Sequence, residues 1–244
     1  MKPLTFGSLF AGIGGFDLGF ERAGMVCKWQ VEIDPYCQKV LAKHWPDVRR
    51  WDDVRTWPQP DTEPVDVICG GFPCQDISTA NIEWQGLDGD RSGLFFEAVR
   101  VVKEMQPAFV VLENVAALLT RGMDRVLWTL AEVGYDAEWH CIPASAVGLP
   151  HERQRAFIIA YASSEGRERP VAHNGTPFRK EKTFPVDRNS RPEQWLRMVA
   201  SRTALRSGDG VSCAMERRRI KGLGNAVVPQ VAEWIGRRIV EAVG

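Results

Sequence analysis

Short runs of strand-forming residues that break off in glycine or a carboxylate, each followed by helical periodicity, constrain this chain more than any other feature. Residues 4–10 read as a strand, glycines 12, 14 and 15 make a tight turn, and an amphipathic stretch runs on to about Gly24. Residues 26–33 read as a second strand. Asp34-Pro35 then starts a helix, because an N-cap aspartate accepts free backbone N–H groups and proline suits the first helical position. Cys37, Val40, Leu41 and His44 fall on one face of it. A buried-strand run over 65–69 ends in Gly70-Gly71, and Phe95, Ala98, Val102 and Met105 form a helix stripe. Residues 108–112 make another buried strand, 123–133 a helix closed by Gly134, and 155–161 a late strand. Gly224-Asn225 precedes a last amphipathic helix over 231–243, with Trp234, Ile235 and Ile239 available for docking.

Strands that are apolar rather than alternating are buried on both faces. The pattern therefore predicts an α/β fold, a mostly parallel sheet with helices on both sides. Such sheets bind ligands at the carboxyl ends of their strands. At 244 residues the chain can bury a core without staples, and six cysteines with no C-x-x-C pair predict reduced thiols. His140, Cys141 and His151 lack partners at ligand spacing, so no metal is expected. The apolar runs fall far short of the roughly 20 residues a membrane span needs. Asp17 and Glu21 interrupt the amino-terminal stretch, which argues against a signal peptide, and a cytoplasmic location is expected.

Net charge is zero, with 31 basic and 31 acidic residues, but the distribution is uneven. Residues 151–220 hold 15 basic and 8 acidic side chains, net +7, and 13 of the 15 are arginine. Regular periodicity also dissolves from about 162 to 217. This segment reads either as a solvated arginine-rich stretch or as a surface that faces a polyanion.

Several carboxyl-end segments carry chemistry-bearing residues. The opening Phe10-Ala11-Gly12-Ile13-Gly14-Gly15 reads as a turn that a ligand approaches closely or as one required by packing. Glu32, ending the second strand, stands where nucleotide folds place the acid that accepts ribose hydroxyls, which implies an adenosine-containing cofactor. Asp53 reads equally as a crevice residue or as one of two solvated acids with Asp52. Gly70-Gly71-Phe72-Pro73-Cys74-Gln75 ends a strand in two glycines and fixes the chain with proline just before a thiol. Most cysteines are small buried hydrophobes, but a thiol at that edge suits a nucleophile. Glu113-Asn114 ends another strand of the sheet, with Glu113 as a functional acid and Asn114 suited to cap the next helix. Arg153 and Arg155 point the same way if a strand begins there, and suit a phosphate or a polarised base.

In this order the segments resemble the cytosine-5 DNA methyltransferases that use S-adenosylmethionine. Phe10 to Gly15 looks like the first family motif, Glu32 with Ile33 like the ribose-binding acid and its neighbour, and Asp53 like the acid near the adenine amino group. Pro73-Cys74-Gln75 looks like the nucleophile motif, Glu113-Asn114-Val115 like that of the catalytic acid, and Arg153-Gln154-Arg155 like the paired arginines. Gly224-Asn225-Ala226-Val227 is similar to the final motif. The implied fold is the Rossmann-like sheet of class I S-adenosylmethionine-dependent methyltransferases. The resemblance implies cofactor contacts at Phe10, Ala11, Gly12, Ile13, Gly14, Gly15, Glu32, Ile33, Asp53, Pro73, Asn225 and Ala226. The implied reaction is methylation of cytosine C5 in double-stranded DNA. Cys74 adds to C6 of a flipped-out base, Glu113 holds N3 and the exocyclic amine, Arg155 holds the base carbonyl, and Arg153 orders the site.

The resemblance and the basic segment together place DNA contacts at Gln75, Ser78, Arg91, Arg188, Arg191, Arg197, Arg202 and Arg206. The organisation expected is a catalytic part over 1–162, a short basic recognition region over 163–217, and a carboxyl-terminal part over 218–244 that returns to the first. Family members commonly carry a longer recognition region, so a short or degenerate target is expected, as in compact phage or prophage members. Residues 79–93 sit where the family has a mobile loop, with Ser78 and Gly93 as hinges. A monomer is expected, and a cognate restriction enzyme is a candidate partner. The competing readings are the same chemistry on structured RNA, a non-catalytic DNA-binding relative, and a small-molecule methyltransferase.

Overall fold

The computed structural model describes residues 2–73, 93–149, 153–162 and 222–244. Among these, seven strands form one sheet in the order β3-β2-β1-β4-β5-β7-β6. They are β1 Thr5–Leu9, β2 Val26–Val31, β3 Arg49–Trp51, β4 Val67–Gly71, β5 Phe109–Val115, β6 Tyr135–Pro143 and β7 Gln154–Ala162. The helices are α1 Gly15–Arg22, α2 Pro35–His44, α3 Leu94–Met105, α4 Met123–Glu132 and α5 Pro229–Val243. No helix of the described residues is long and apolar enough to cross a membrane, and no His, Cys, Asp and Glu side chains there form a group that could hold a metal ion.

The first five strands pair in parallel, as the apolar runs of β1, β2, β4 and β5 predict, while the short β3, Arg-Arg-Trp, has no apolar run and is not expected as a strand. The sheet is not parallel throughout, because β7 runs antiparallel to both β5 and β6. Residues 135–143 form a strand that periodicity misses. Tyr135 and Ile142 are buried, but the weak strand formers Asp136, Ala137 and Glu138 occupy an edge, where hydrogen bonding to β7 overrides propensity. Strand β5 also continues past Leu112 to Val115, since β7 pairs with it as far as Val115 opposite Arg155. Glu113 and Asn114 thus lie within the strand rather than leaving it.

Both faces of the sheet are covered. On one, Phe6, Phe16 and Phe20 pack with Val231, Ile235 and Ile239 of α5. On the other, Trp29, Trp57, Ile68 and Val110 pack with Phe95 and Val102 of α3 and Val126 and Leu130 of α4. The docking role expected of Ile235 and Ile239 is met, with both fully buried. On α2 only Cys37 and Leu41 of the expected stripe are buried, and His44 is exposed. Strand order reverses between β1 and β4, so β1, β2 and β4 open their carboxyl ends onto a common crevice.

Candidate cofactor cleft and adjoining acid–arginine pair

A cleft of about 360 Å³ opens where the strand order reverses. Of the residues expected at a cofactor, Phe10, Gly12, Glu32, Ile33, Asp53, Pro73 and Asn225 line it. The elements explain why. Phe10 follows β1 directly, Glu32 follows β2, and Pro73 follows β4 by two residues, so three parallel strands present their ends on one side.

Glu32 is the best-held polar group of the cleft. It is 8% exposed, its Oε2 accepts from the Gly12 amide at 2.7 Å, and its Oε1 accepts from the Asp34 amide at 2.7 Å. Burial pushes its pKa up from the ordinary carboxylate value, and the main-chain amides oppose that rise. Each oxygen keeps a second lone pair that can accept a hydroxyl. Asp34 caps α2 as its sequence position predicts, accepting from Tyr36 N at 2.8 Å and Cys37 N at 3.3 Å. Ile33 stands 62% exposed at the cleft, an apolar surface of the kind a nucleobase covers.

The glycine turn divides by role. Gly12 has φ +57°, and a Cβ there would meet nothing nearer than the Phe10 carbonyl at 4.0 Å, so it faces open space in the cleft. Gly14 and Gly15 do not line the cleft. A Cβ on Gly14 would come within 2.4 Å of the Trp45 ring, and one on Gly15 within 2.4 Å of the Val227 carbonyl oxygen. Those two glycines answer to packing, and of the three only Gly12 faces open space. Ala11, Ile13 and Ala226 also fall outside the lining. Phe10 takes φ 51°, a left-handed conformation rare outside glycine, as it turns the chain from β1 into the cleft.

Asp53 is neither simply a crevice residue nor simply a solvated acid. It lines the cleft with Asp52, and it caps a short 3-10 turn at Val54–Thr56. Its carboxylate accepts from the Arg55 amide at 3.0 Å and pairs with the Arg55 guanidinium at 2.7 Å, which holds its pKa below the usual value. Arg100 of α3 fixes the same turn by donating to the Val54 and Trp57 carbonyls at 2.7 and 2.6 Å.

Beside the cleft lies a buried ion pair. Glu113 Oε1 stands 2.9 Å from Arg155 Nε, with the acid 8% and the arginine 23% exposed at the side chain. Arg155 lies opposite Val115 on the neighbouring strand, so it meets Glu113 diagonally on one face. Burial pushes the Glu113 pKa up, and the positive charges of Arg155 and Arg153 oppose it. Gly71 joins the two places. It lines the cleft, and a Cβ on it would stand 3.0 Å from Glu113 Oε2.

Arg153 does not share Arg155's role. It donates through Nη1 to the Gly224 carbonyl and through Nη2 to the Ala226 carbonyl at 3.1 Å, and so ties the segment before α5 to β7. Burial lowers its pKa, as does Arg155, against the attraction of Glu113. Asn114 does not cap the following helical turn. Its Nδ2 donates to the Phe72 carbonyl at 3.0 Å and its Oδ1 accepts from Val115 N at 2.8 Å. It therefore anchors the chain two residues before Cys74. Cys37, expected only on the apolar face of α2, also lines the cleft, as do Leu94 and Gly222, which the sequence did not single out.

Cys74, Gln75, Ser78 and Arg91 lie outside the described residues, as does all but Gly93 of the loop over 79–93. So do His151, Arg188, Arg191, Arg197, Arg202, Arg206 and the whole of 163–217.

Comparison with known proteins bears on this arrangement. The profile of the C-5 cytosine-specific DNA methylase family matches residues 4–204. The Type II methyltransferase M.DsaV of Dactylococcopsis salina is 32% identical over 173 residues, which make up 68% of this chain and 48% of that protein. The Type II methyltransferase M1.HphI of Haemophilus parahaemolyticus is 37% identical over 168 residues, 64% of this chain and 45% of its own. The chain spans about half the length of the curated relatives it matches. A crystal structure from an Escherichia coli prophage, described as a DNA modification methyltransferase, superposes with TM-score 0.55 at 30% identity over 65% of this chain and 47% of that one. Spodoptera frugiperda DNMT2 superposes with TM-score 0.55 at 19% identity, over 69% of this chain and 53% of its own, a likeness of fold.

Proposed function

The chain belongs to the C-5 cytosine-specific DNA methylase family, and from that premise we propose that it methylates C5 of cytosine in DNA with S-adenosylmethionine as donor. The observation that carries the reading is the Glu113–Arg155 pair beside Gly71 of the cleft lining, which sets an acid and a cation next to a nucleoside-sized pocket.

The residues present fit the cofactor. Glu32 offers free lone pairs to ribose hydroxyls, Ile33 and Phe10 offer apolar surface to the base, and Gly12 leaves room where any side chain would intrude. Bound there, S-adenosylmethionine supplies an electrophilic methyl group on a sulfonium. Cytosine C5 is a poor nucleophile, and the remaining task of the protein is to put electron density on it. In the proposed mechanism the Cys74 thiolate adds to C6, and the ring becomes an enamine with density at C5. Glu113, its pKa raised by burial, retains a proton more readily than a solvated acid and shares it with N3, which favours addition. Arg155 stabilises charge at the base carbonyl while its other side holds Glu113. After methylation a base removes the C5 proton and elimination frees Cys74. Asn114 and Arg153 act as supports, one holding the Phe72 carbonyl before the nucleophile motif and the other the segment over 224–226. The duplex must release the target base, at about a few kcal/mol of lost stacking and pairing. Phosphate contacts from the arginine-rich 163–217 region offset part of that.

Transfer of labelled methyl from S-adenosylmethionine to unmethylated duplex DNA of mixed sequence, with base-resolution mapping, tests the proposal. Labelled 5-methylcytosine that vanishes in Cys74→Ser, while cofactor binding persists, is the expected result. Transfer to structured RNA and not to DNA overturns the substrate, and substantial turnover by Cys74→Ser overturns the covalent step.

A further inference from the structure

The reaction above makes no use of Asp17, yet Asp17 on α1 has no exposed surface at all. Its Oδ2 accepts from Ser8 Oγ of β1 at 3.1 Å, and its Oδ1 accepts from Gln30 Nε2 of β2 at 2.7 Å, with the Cys27 thiol at 3.6 Å. Gln30 Oε1 in turn accepts from Arg50 Nε of β3 at 2.9 Å, and Arg50 Nη2 donates to the Trp45 carbonyl at 2.8 Å. Trp45 ends α2, and its ring fills the space that the missing side chain of Gly14 leaves. The hydrogen bonds thus run from the helix after the glycine turn, through β2 and β3, to Trp45, whose ring packs back against the turn at Gly14.

Its members stand just behind the cleft. Ser8 lies on β1 two residues before Phe10, and Gln30 lies on β2 two residues before Glu32, so each sits in a strand whose carboxyl end leads into the cleft. Replacing a buried polar network by apolar residues often leaves stability unchanged or improved, whereas a fully satisfied network selects one arrangement. A buried acid in this position costs stability, since burial pushes its pKa up to about 6.

We propose that the hydrogen-bonded chain Asp17–Gln30–Arg50, buried at Asp17 and Gln30, is a positioning device for the cofactor cleft, setting Phe10, Gly12 and Glu32 at the spacing a nucleoside requires. The inference rests on the cofactor reading of the cleft. No member touches the cofactor, and each acts through the strand end or turn it holds.

The test is calorimetric binding of S-adenosylmethionine, together with KM and kcat for methyl transfer, on wild type and three variants. Asp17→Ala and Arg50→Met each remove one link, and each is expected to raise the dissociation constant and the cofactor KM about 3- to 30-fold with kcat at saturation within twofold. Asp17→Asn keeps an acceptor for Gln30 and is expected to bind within twofold of wild type. A merely structural role lowers the folded fraction and with it kcat, leaving KM unchanged. A folded Asp17→Ala or Arg50→Met that binds with the wild-type constant overturns the proposal. If Asp17→Ala does not fold, Arg50→Met decides. Failure of the wild-type protein to bind the cofactor instead refutes the reading of the cleft.

Discussion

Gly12, in the turn, and Gly15, the first residue of α1, stand three residues apart in opposite surroundings that one pair of substitutions separates. In Gly15→Ala the new methyl lies 2.4 Å from the Val227 carbonyl oxygen and 3.0 Å from its nitrogen. Both are backbone atoms, so no rotamer change relieves the contact, and Arg153 pins the neighbouring carbonyls of Gly224 and Ala226. The contact must open by about 1 Å, and overpacking of this kind costs about 1–3 kcal/mol. Gly12→Asn meets the reverse situation. The site is open, φ is +57°, and asparagine tolerates that conformation, so the stability cost is about 1 kcal/mol or less while the side chain enters the cleft. Urea unfolding monitored by tryptophan fluorescence, with equilibrium dialysis of S-adenosylmethionine, measures both quantities. Gly15→Ala is expected to lower stability by about 1–3 kcal/mol, and Gly12→Asn to weaken the cofactor about 30-fold or more, near 2 kcal/mol, with little loss of stability. If Gly15→Ala unfolds within about 0.5 kcal/mol of wild type, the packing argument fails. If Gly12→Asn binds normally, the cofactor does not approach that turn.

Glu32→Gln is not a conservative change here, because both carboxylate oxygens accept from main-chain amides and an amide side chain leaves one of them unpaired. It is expected to weaken cofactor binding about tenfold or more, for a loss of about 1–3 kcal/mol, and an unchanged dissociation constant refutes the role. Asp17 predicts a pH dependence of stability. It is faced by Ser8 from β1, Cys27 and Gln30 from β2 and Cys69 from β4, and its folded pKa of about 6 exceeds the ordinary 3.8. Stability from this group is therefore full below pH 4 and is lost as pH rises to 6, about 3 kcal/mol in all. Asp17→Asn lacks that titration, so its advantage over wild type in urea unfolding is expected to grow by about 1.4 kcal/mol from pH 5 to 8, and a constant difference refutes the buried charge. The net +7 over residues 151–220 predicts that duplex DNA binding falls about tenfold or more between 50 and 200 mM salt, whereas a flat dependence removes the phosphate contacts.

Most of the parallel half of the fold is legible in the sequence, because strands buried on both faces are largely apolar and a helix start is readable where a side-chain cap marks it. Asp34 is the clear case, a cap read from one dipeptide and found accepting two amides. The edge strand Tyr135–Pro143 was not legible for the converse reason, as it faces solvent on one side and its composition is free to drift. Glu32 could be placed at the cleft from its position after a strand, but its two amide partners come from Gly12 and from Asp34 beyond the strand end, contacts no spacing rule specifies.

What the sequence by itself determined, then, is which side of the sheet carries the chemistry, since that follows from where apolar runs stop and glycines, acids and arginines begin. What only the tertiary structure decided is how those residues share the work. Two arginines one residue apart diverge, Arg155 to a buried acid and Arg153 to two carbonyls some 70 positions away. Asn114 reaches across the sheet to Phe72 instead of capping its own turn, and Asp17, an interruption in an apolar stretch, becomes the buried centre of a network. Each of these depends on which unsatisfied group lies within about 3 Å once the strands have paired, and strand order and register are properties of the assembled sheet that no local pattern encodes.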